Sequence, residues 1–298
     1  MKKIEYCLLC SEEKLEKLTH LYSRALRRFF HGVGICANCG HIQLQPMLDP
    51  NSIERINDNF FSEIHHSGSD INSHKLEQLS IRLSPFIKEE MNVLDVGSGN
   101  GWSMGYFNKY NCNYFAIEKV NKSREIVVEK GGTVIAKGIE QIPKKYQSFF
   151  DIIIFRHVIE HLTMPLAALK LLKNSLKESG FIYLALPNAK EISNNLGFQN
   201  ISEKGFRTSF LRPVHLSYFH PQNVEYISSL AGLKPIDIDL NNEIFMLLSK
   251  SNNKKNNLVN NYLEQKKHFD IYKRKFLVSD YIKILIDLPK AILKRIIL

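Results

Sequence analysis

The chain has 298 residues, of which 44% are hydrophobic and 23% are charged, which suffices for one sizeable core with smaller attachments. No apolar run reaches the roughly 20 residues that a membrane-spanning helix needs, and the first residues lack the apolar stretch of a signal peptide. Residues 251–298 contribute 11 − 4 = +7 of the net charge of +10, and the other residues contribute 29 − 26 = +3. We therefore expect a cytoplasmic protein whose main body is not a basic surface for nucleic acid.

Two CxxC pairs lie near the start of the chain, in YCLLC and ICANC. In a reducing compartment such pairs favour a metal site over disulfides, and four thiolates suit tetrahedral zinc. The sequence predicts a small zinc ribbon over residues 1–48, with a closed, structural site. Its four ligands would be Cys7, Cys10, Cys36 and Cys39.

Residues 49–90 follow as helical linking sequence, and residues 91–250 alternate short β-type runs with helical stretches. Such alternation predicts a parallel sheet with helices on both faces. Two final β-type runs, KPIDIDL and EIFMLLS, are close enough to pair as a hairpin, which places one antiparallel strand in the sheet. The predicted fold is therefore α/β, a doubly wound, Rossmann-like, seven-stranded sheet that is mostly parallel.

The stretch VLDVGSGNGW ends an apolar strand at Asp95 and continues with glycines at alternate positions. Glycines at the end of such a strand permit positive φ angles and let a ligand approach the backbone. The next strand ends at Glu118, where an acidic side chain can accept hydrogen bonds from ribose hydroxyls.

This combination resembles the S-adenosylmethionine site of class I methyltransferases, and the resemblance covers about residues 90–250. It implies that Gly97 to Gly101 pass the methionine part of the cofactor, that Glu118 holds the ribose, and that Ile139 and Glu140 flank the adenine. It also implies that the backbone of Arg156 lies near the methionine amino group. The full set of implied cofactor contacts is Asp95, Gly97, Ser98, Gly99, Gly101, Glu118, Ile139, Glu140 and Arg156.

The segment FRHVIEHL ends a strand that we predict to be buried on both faces. Ligands bind at the carboxyl ends of parallel strands, so His157, Glu160 and His161 are expected beside the methyl donor. A helix beginning near Val158 would place these three side chains on one face. His215, in RPVHLSYFHP, is expected to join them.

Two chemical roles and one packing role are open for this cluster. His157 or His215 could act as the base that activates an acceptor hydroxyl. Alternatively Glu160, His161 and His215 could hold a divalent cation, since some ubiquinone-pathway and small-RNA O-methyltransferases carry a similar set. We favour the base, because His157 stands where those metal sites usually have another carboxylate. A purely structural, strand-end role is the third alternative.

A ribbon with CxxCGHIQL, a linker and a methyltransferase domain resembles bacterial methyltransferases of sugar biosynthesis, in which the ribbon helps to cover the substrate site. The C-methyltransferases among these carry a further C-terminal domain of over a hundred residues, where this chain has about 48. We therefore expect O-methylation of a sugar in a nucleotide sugar or surface polysaccharide. Two rivals are an RNA methyltransferase guided by the ribbon and the basic tail, and a non-catalytic module that keeps the fold.

Arg207 and Arg212 lie in the segment GFRTSFLRPVH, and arginine forks suit the phosphates of such a substrate. Residues 251–298 read as a basic linker followed by an amphipathic helix. Packing on the enzyme or in a homo-oligomer is the favoured role of that helix, and contact with the inner face of a membrane is the alternative.

Overall fold

The computed structural model describes residues 6–23, 28–45, 70–190, 215–241, 243–252 and 258–270. These residues form a seven-stranded sheet with helices on both faces and a smaller four-stranded sheet.

The large sheet confirms the predicted α/β fold, because every predicted strand is present. Its strands are β4 (Asn92–Val96), β5 (Asn113–Ile117), β6 (Thr133–Ala136), β7 (Phe150–Arg156), β8 (Leu176–Pro187), β10 (Leu233–Leu240) and β11 (Glu243–Lys250). They lie in the order β10-β11-β8-β7-β4-β5-β6. Strand β11 is antiparallel to both of its neighbours, and the other adjacent pairs are parallel.

The central strand β7 explains why both faces of the sheet are covered. Ile153 and Phe155 belong to one hydrophobic cluster, and Ile152 and Ile154 belong to the other. Successive side chains of a strand point to opposite faces, so an uninterrupted apolar run needs helices on each side.

The helices that cover these faces are α1 (Asp70–Leu83), α2 (Met104–Asn108), α3 (Asn121–Glu129), α4 (Pro165–Ser175) and α5 (Pro221–Leu230). Helices α4 and α5 both begin with proline, which lacks the backbone N–H that would have no partner at a helix start. Within the predicted linking region 49–90, α1 is the described helix, and residues 46–69 lie outside the described part of the chain.

The N-terminal residues form an antiparallel sheet of β1 (Leu15–Ser23), β2 (Arg28–Cys36) and β3 (Ile42–Gln45). Its fourth strand, β9 (Ser217–Tyr218), comes from the region after β8. This small sheet, which we call the ribbon sheet, therefore joins the N-terminal residues to the segment between β8 and α5.

Residues 262–270 are helical and pack against the ribbon. Lys266 Nζ lies 2.7 Å from Glu16 Oε1, and Asn260 Nδ2 donates to the Ala37 carbonyl at 3.2 Å. The sequence did not indicate this contact. Residues 271–298, including the predicted amphipathic helix, lie outside the described residues, and no described helix has the length and apolar character to span a bilayer.

Candidate functional site

The glycine loop, residues 97–101, connects β4 to the segment before α2. Gly97, Gly99 and Gly101 have φ angles of 72°, 53° and 69°, a region that favours glycine. The Gly97 amide donates to the carbonyl of Ile117 at 2.8 Å, which anchors the loop to β5. The loop thus turns at the carboxyl edge of the sheet, as predicted.

Glu118 lies directly over this loop. Its Oε2 accepts a hydrogen bond from the Gly99 amide at 2.7 Å, and its Oε1 accepts one from the Val120 amide at 2.8 Å. Each carboxylate oxygen can accept more than one hydrogen bond, so Glu118 keeps capacity for ribose hydroxyls. The predicted ribose contact is compatible with this position.

The side chains of Asp95, before the loop, and of Ser98, within it, are buried rather than open to a ligand. Asp95 is buried, and its Oδ2 accepts from the Ser103 hydroxyl at 2.5 Å and from the Tyr114 hydroxyl at 2.7 Å. Burial raises the pKa of Asp95 to about 6, although the two hydroxyls oppose that shift. Ser98 is fully buried. These side chains support the loop, and their direct contact with the cofactor stays a prediction.

The predicted adenine contacts lie in the next loop along the same edge. Ile139 and Glu140 begin a short 3-10 turn, Ile139–Gln141, after β6. Ile139 is buried, whereas Glu140 is exposed and folds over Gly138, where an added Cβ would lie 2.2 Å from Glu140 Oε1. The two residues offer an apolar and a polar surface beside the loop that carries Glu118.

The HVIEH turn, residues 157–161, packs on the glycine loop. A Cβ added to Gly97 would lie 2.6 Å from Val158 Cγ2. In place of the helix from Val158 that we considered, a 3-10 turn, Ile159–His161, forms. His157 has a φ of 53°, a strained value for a residue with a side chain, and such strain often marks functional sites.

Glu243, which the sequence analysis missed, holds the side chain of His157. Glu243 Oε1 lies 2.7 Å from His157 Nε2, and Arg156 Nη2 lies 2.8 Å and 2.9 Å from the two Glu243 oxygens. Glu243 begins β11, and because β11 is antiparallel its first residue lies at the carboxyl edge. The predicted pairing of the last two β-type runs is the sequence signal that could have placed Glu243 at this edge.

These contacts bear on the predicted base role of His157. Burial lowers the pKa of His157, but contacts with Glu160 and Glu243 outweigh it, so that the net shift is upward. The pKa of Glu243 falls to about 2, because His157 and Arg156 outweigh the effect of burial. His157 therefore keeps its proton to a higher pH than a free histidine does, and its role as the base stays a prediction.

Glu160, His161 and His215 come together as the sequence suggested. Their ligand atoms all lie within 4.8 Å of one another, and the two imidazole rings are 4.9 Å apart between centroids. Glu160 is buried; burial raises its pKa, but His157 and the charges of His161 and His215 hold that pKa at about 2. The nearby His220 instead caps helix α5, and its Nδ1 accepts from the Gln222 amide at 3.3 Å.

The predicted substrate arginines, Arg207 and Arg212, lie outside the described residues. Their role stays a prediction.

The four cysteines of the two CxxC pairs form one cluster, which we call the cysteine cluster. The Sγ atoms of Cys7 and Cys39 are 3.6 Å apart, as are those of Cys10 and Cys36, and all four lie within 4.8 Å. Sulfurs about 2.3 Å from a tetrahedral zinc would lie about 3.8 Å apart. The residues therefore fit the predicted zinc.

The ribbon sheet connects the cysteine cluster to the HVIEH turn. Strand β3 pairs with β9, and His41 Nε2 lies 3.2 Å from the Ser217 hydroxyl. One residue earlier, the Leu216 amide donates to the Glu160 carbonyl at 2.8 Å. The position of His215 thus depends on the ribbon.

Comparisons with known proteins agree with this geometry. The family of methyltransferase domains matches residues 69–238, which is more than half of the chain. Among solved structures, the Burkholderia thailandensis 1,6-didemethyltoxoflavin-N1-methyltransferase, with bound 1,6-didemethyltoxoflavin and S-adenosylhomocysteine, is similar at a TM-score of 0.51 and 14% identity, over 74% of this chain and 96% of that one. The PH0226 protein from Pyrococcus horikoshii OT3 is similar at a TM-score of 0.51 and 17% identity, over 62% and 93%.

A search of curated proteins finds no significant match. Both structural similarities are low in sequence identity and show the fold alone. The family match, the seven-stranded sheet and the glycine loop lead to one conclusion: the chain belongs to the methyltransferase domain family and is a class I, S-adenosylmethionine-dependent methyltransferase.

Proposed function

We propose that this enzyme methylates a hydroxyl of a sugar, in a nucleotide sugar or a surface-polysaccharide precursor. The observation that carries the proposal is the polar character of the surface beside the glycine loop. His157 and Glu243 lie there with side chains 32% and 33% exposed, next to Arg156 and near Lys75. An ionised carboxylate and charged donors suit an acceptor with several hydroxyls.

S-adenosylmethionine supplies a methyl group on a sulfonium, so the protein mainly has to position the acceptor and help its hydroxyl to lose a proton. Glu243 can accept hydrogen bonds from neighbouring hydroxyls, and His157 can donate one. Glu118 and the glycine loop hold the cofactor on the other side of the HVIEH turn.

Zinc in the cysteine cluster is the second part of the proposal. A closed site with four cysteine ligands has no open position for a substrate, so the metal has a structural role. It stabilises the ribbon sheet and thereby β9, which begins two residues after His215. This arrangement supports the resemblance to sugar-biosynthesis enzymes with a ribbon beside the substrate site.

The test is a transfer assay with S-adenosylmethionine labelled in the methyl group. The purified, zinc-loaded protein is incubated separately with nucleotide sugars, lipid-linked or free glycans, RNA and small aromatic amines. We expect label in a sugar pool, in an ether that resists mild base. The same mixtures without the enzyme serve as the background control. Label in RNA or on nitrogen, with none in sugars, would overturn the proposal.

A further inference from the structure

Glu160 differs from the other carboxylates of the site in its hydrogen bonding. Both of its carboxylate oxygens are buried, and neither has a hydrogen-bond partner among the described residues. Glu118 and Glu243, by contrast, each accept hydrogen bonds at both oxygens. A buried carboxylate whose oxygens accept no hydrogen bond is costly, and the ion pairs with His157 and His161 offset that cost only in part, so a cation can bind there.

Two of the histidines beside Glu160 face it at ion-pair distance. His157 Nδ1 lies 3.3 Å and His161 Nε2 lies 3.9 Å from Glu160 Oε1. Charge-assisted hydrogen bonds of this kind are about 2.7–2.9 Å long. The spacing leaves room for a ligand between the carboxylate and the imidazoles of His161 and His215.

We propose that Glu160, His161 and His215 bind a divalent transition-metal ion. Ligand atoms about 2.1 Å from such an ion lie up to about 4.2 Å apart, so the observed limit of 4.8 Å requires an approach of well under 1 Å. Two imidazoles and one carboxylate suit manganese, iron, cobalt or zinc, whereas magnesium and calcium prefer oxygen ligands alone.

The position of the site gives the ion a function. The turn that carries Glu160 and His161 packs on Gly97, so the ion lies on the acceptor side of the cofactor site. Three protein ligands leave coordination positions open, and a hydroxyl bound to one of them would release its proton to solvent more readily. This role, unlike the binding itself, rests on the proposed methylation of a hydroxyl.

Binding can be measured without any acceptor. The zinc-loaded protein is titrated with Mn²⁺ and, separately, with Co²⁺. Free Mn²⁺ is followed by its electron paramagnetic resonance signal, and open positions by the relaxation of water protons. We expect one tight Mn²⁺ per chain with bound water. The probe avoids the cysteine cluster, because manganese prefers oxygen and nitrogen to sulfur.

Two variants from different elements make the test specific. Glu160→Gln and His215→Gln should each weaken Mn²⁺ binding by more than about 100-fold, since the loss of even an indirect partner of a metal ligand costs about 10–100-fold. Glu178→Gln is the control, because that side chain is 86% exposed and lies outside the cluster. Melting temperature and S-adenosylmethionine affinity, measured on each variant, exclude misfolding as the cause.

Failure of this inference and failure of the proposed function can be told apart. Wild-type binding of neither ion, or equal binding by wild type and both variants, would overturn the metal site. If the protein binds Mn²⁺ but labels no hydroxyl acceptor, the site stands and the proposed function fails. If Glu160→Gln methylates a hydroxyl as fast as the wild type, the catalytic role of the ion fails.

Discussion

The two sides of the candidate site are held by different parts of the chain. We call the glycine loop with Glu118 the donor side, and the HVIEH turn with His215 and Glu243 the acceptor side. On the donor side, backbone groups form the described contacts. Glycines at positive φ form the loop, and Glu118 accepts hydrogen bonds from the Gly99 and Val120 amides. On the acceptor side, charged side chains from β7, β11 and the segment before β9 meet, and the two buried Glu160 oxygens accept no hydrogen bond. A donor side of this kind serves one invariant cofactor, whereas an acceptor side of side chains can be altered residue by residue.

Removal of the cysteine cluster should have the largest effect, because it should disrupt the ribbon beside the acceptor side and leave the donor side intact. Replacement of Cys36 and Cys39 by Ser should abolish zinc binding, whose apparent contribution in small zinc domains is about 10–16 kcal/mol, and should leave residues 6–45 protease-sensitive. Because the Gly97 amide anchors the glycine loop to β5 of the large sheet, S-adenosylmethionine affinity should change little. Metal analysis, limited proteolysis and calorimetry measure these effects.

The Cys112→Ser variant is the matched control, since Cys112 is buried but lies outside the cluster. It should keep about one zinc per chain. A wild-type protein without zinc, or a double variant that no longer binds the cofactor, would contradict the separation.

Gly97 is the point at which the two sides touch, and Gly97→Ala should damage both. Alanine at a φ of 72° costs about 1–2 kcal/mol, and its Cβ would lie 2.6 Å from Val158 Cγ2, which adds about 1–3 kcal/mol. We expect lower stability by about 2–5 kcal/mol in denaturant titrations. Gly105→Ala, where an added Cβ meets nothing within 4 Å, should be neutral or stabilising. Equal effects of the two changes would place Gly97 outside this contact.

Asp95, which lies just before the glycine loop, makes the stability of the folded protein dependent on pH. Its pKa of about 6 in the folded protein exceeds that of an unfolded aspartate, 3.8, so between these values the folded state holds the extra proton. The contribution of Asp95 to stability therefore falls as pH rises, by about 3 kcal/mol in all. Asp95→Asn removes this loss and keeps an oxygen acceptor for Ser103 and Tyr114.

The measurement is the difference in melting temperature between Asp95→Asn and wild type, which should grow in favour of the variant from about pH 4.5 to 7.5. Asp237→Asn, at an exposed position on β10, is the control and should show no such trend. A difference that stays constant with pH would show that Asp95 ionises in the folded protein as it does in the unfolded chain.

Glu118→Ala should have the smallest effect and should act on the donor side alone. Loss of its hydrogen bonds should weaken S-adenosylmethionine binding by about 1–3 kcal/mol in calorimetry. Glu129→Gln, an exposed change at the end of α3, should leave the affinity unchanged. Wild-type affinity in Glu118→Ala would remove this residue from the cofactor site.

The sequence predicted the donor side better than the acceptor side, and the reason is physical. Strand periodicity and glycine spacing are local signals, so β4, the loop and Glu118 could be placed from a short stretch of residues. Glu243, the partner of His157, could not be placed in this way, because it is 86 residues away and reaches His157 through the antiparallel pairing of β11 with β8. The distant His215 was anticipated only through resemblance.

Two smaller differences between the sequence analysis and the structure also arise from tertiary contacts. A helix beginning near Val158 was considered for the HVIEH turn, but Val158 packs on Gly97 and the chain forms a single 3-10 turn instead. Residues 258–270 were treated as part of a basic linker, although Asn260, Tyr262 and Lys266 contact the ribbon. Both depend on tertiary contacts that have no local sequence pattern.

The pairing of β3 with β9 has a consequence for synthesis of the protein. His41 and Ser217, which meet across this pair, are separated by 176 residues. At a synthesis rate of about 5–20 residues per second, the β3 edge waits about 10–35 s for its partner strand to emerge. During that interval one strand edge of the ribbon sheet remains unpaired, and such an edge is prone to pair with other chains. Newly made protein should therefore depend on chaperones more than the refolded, full-length chain does.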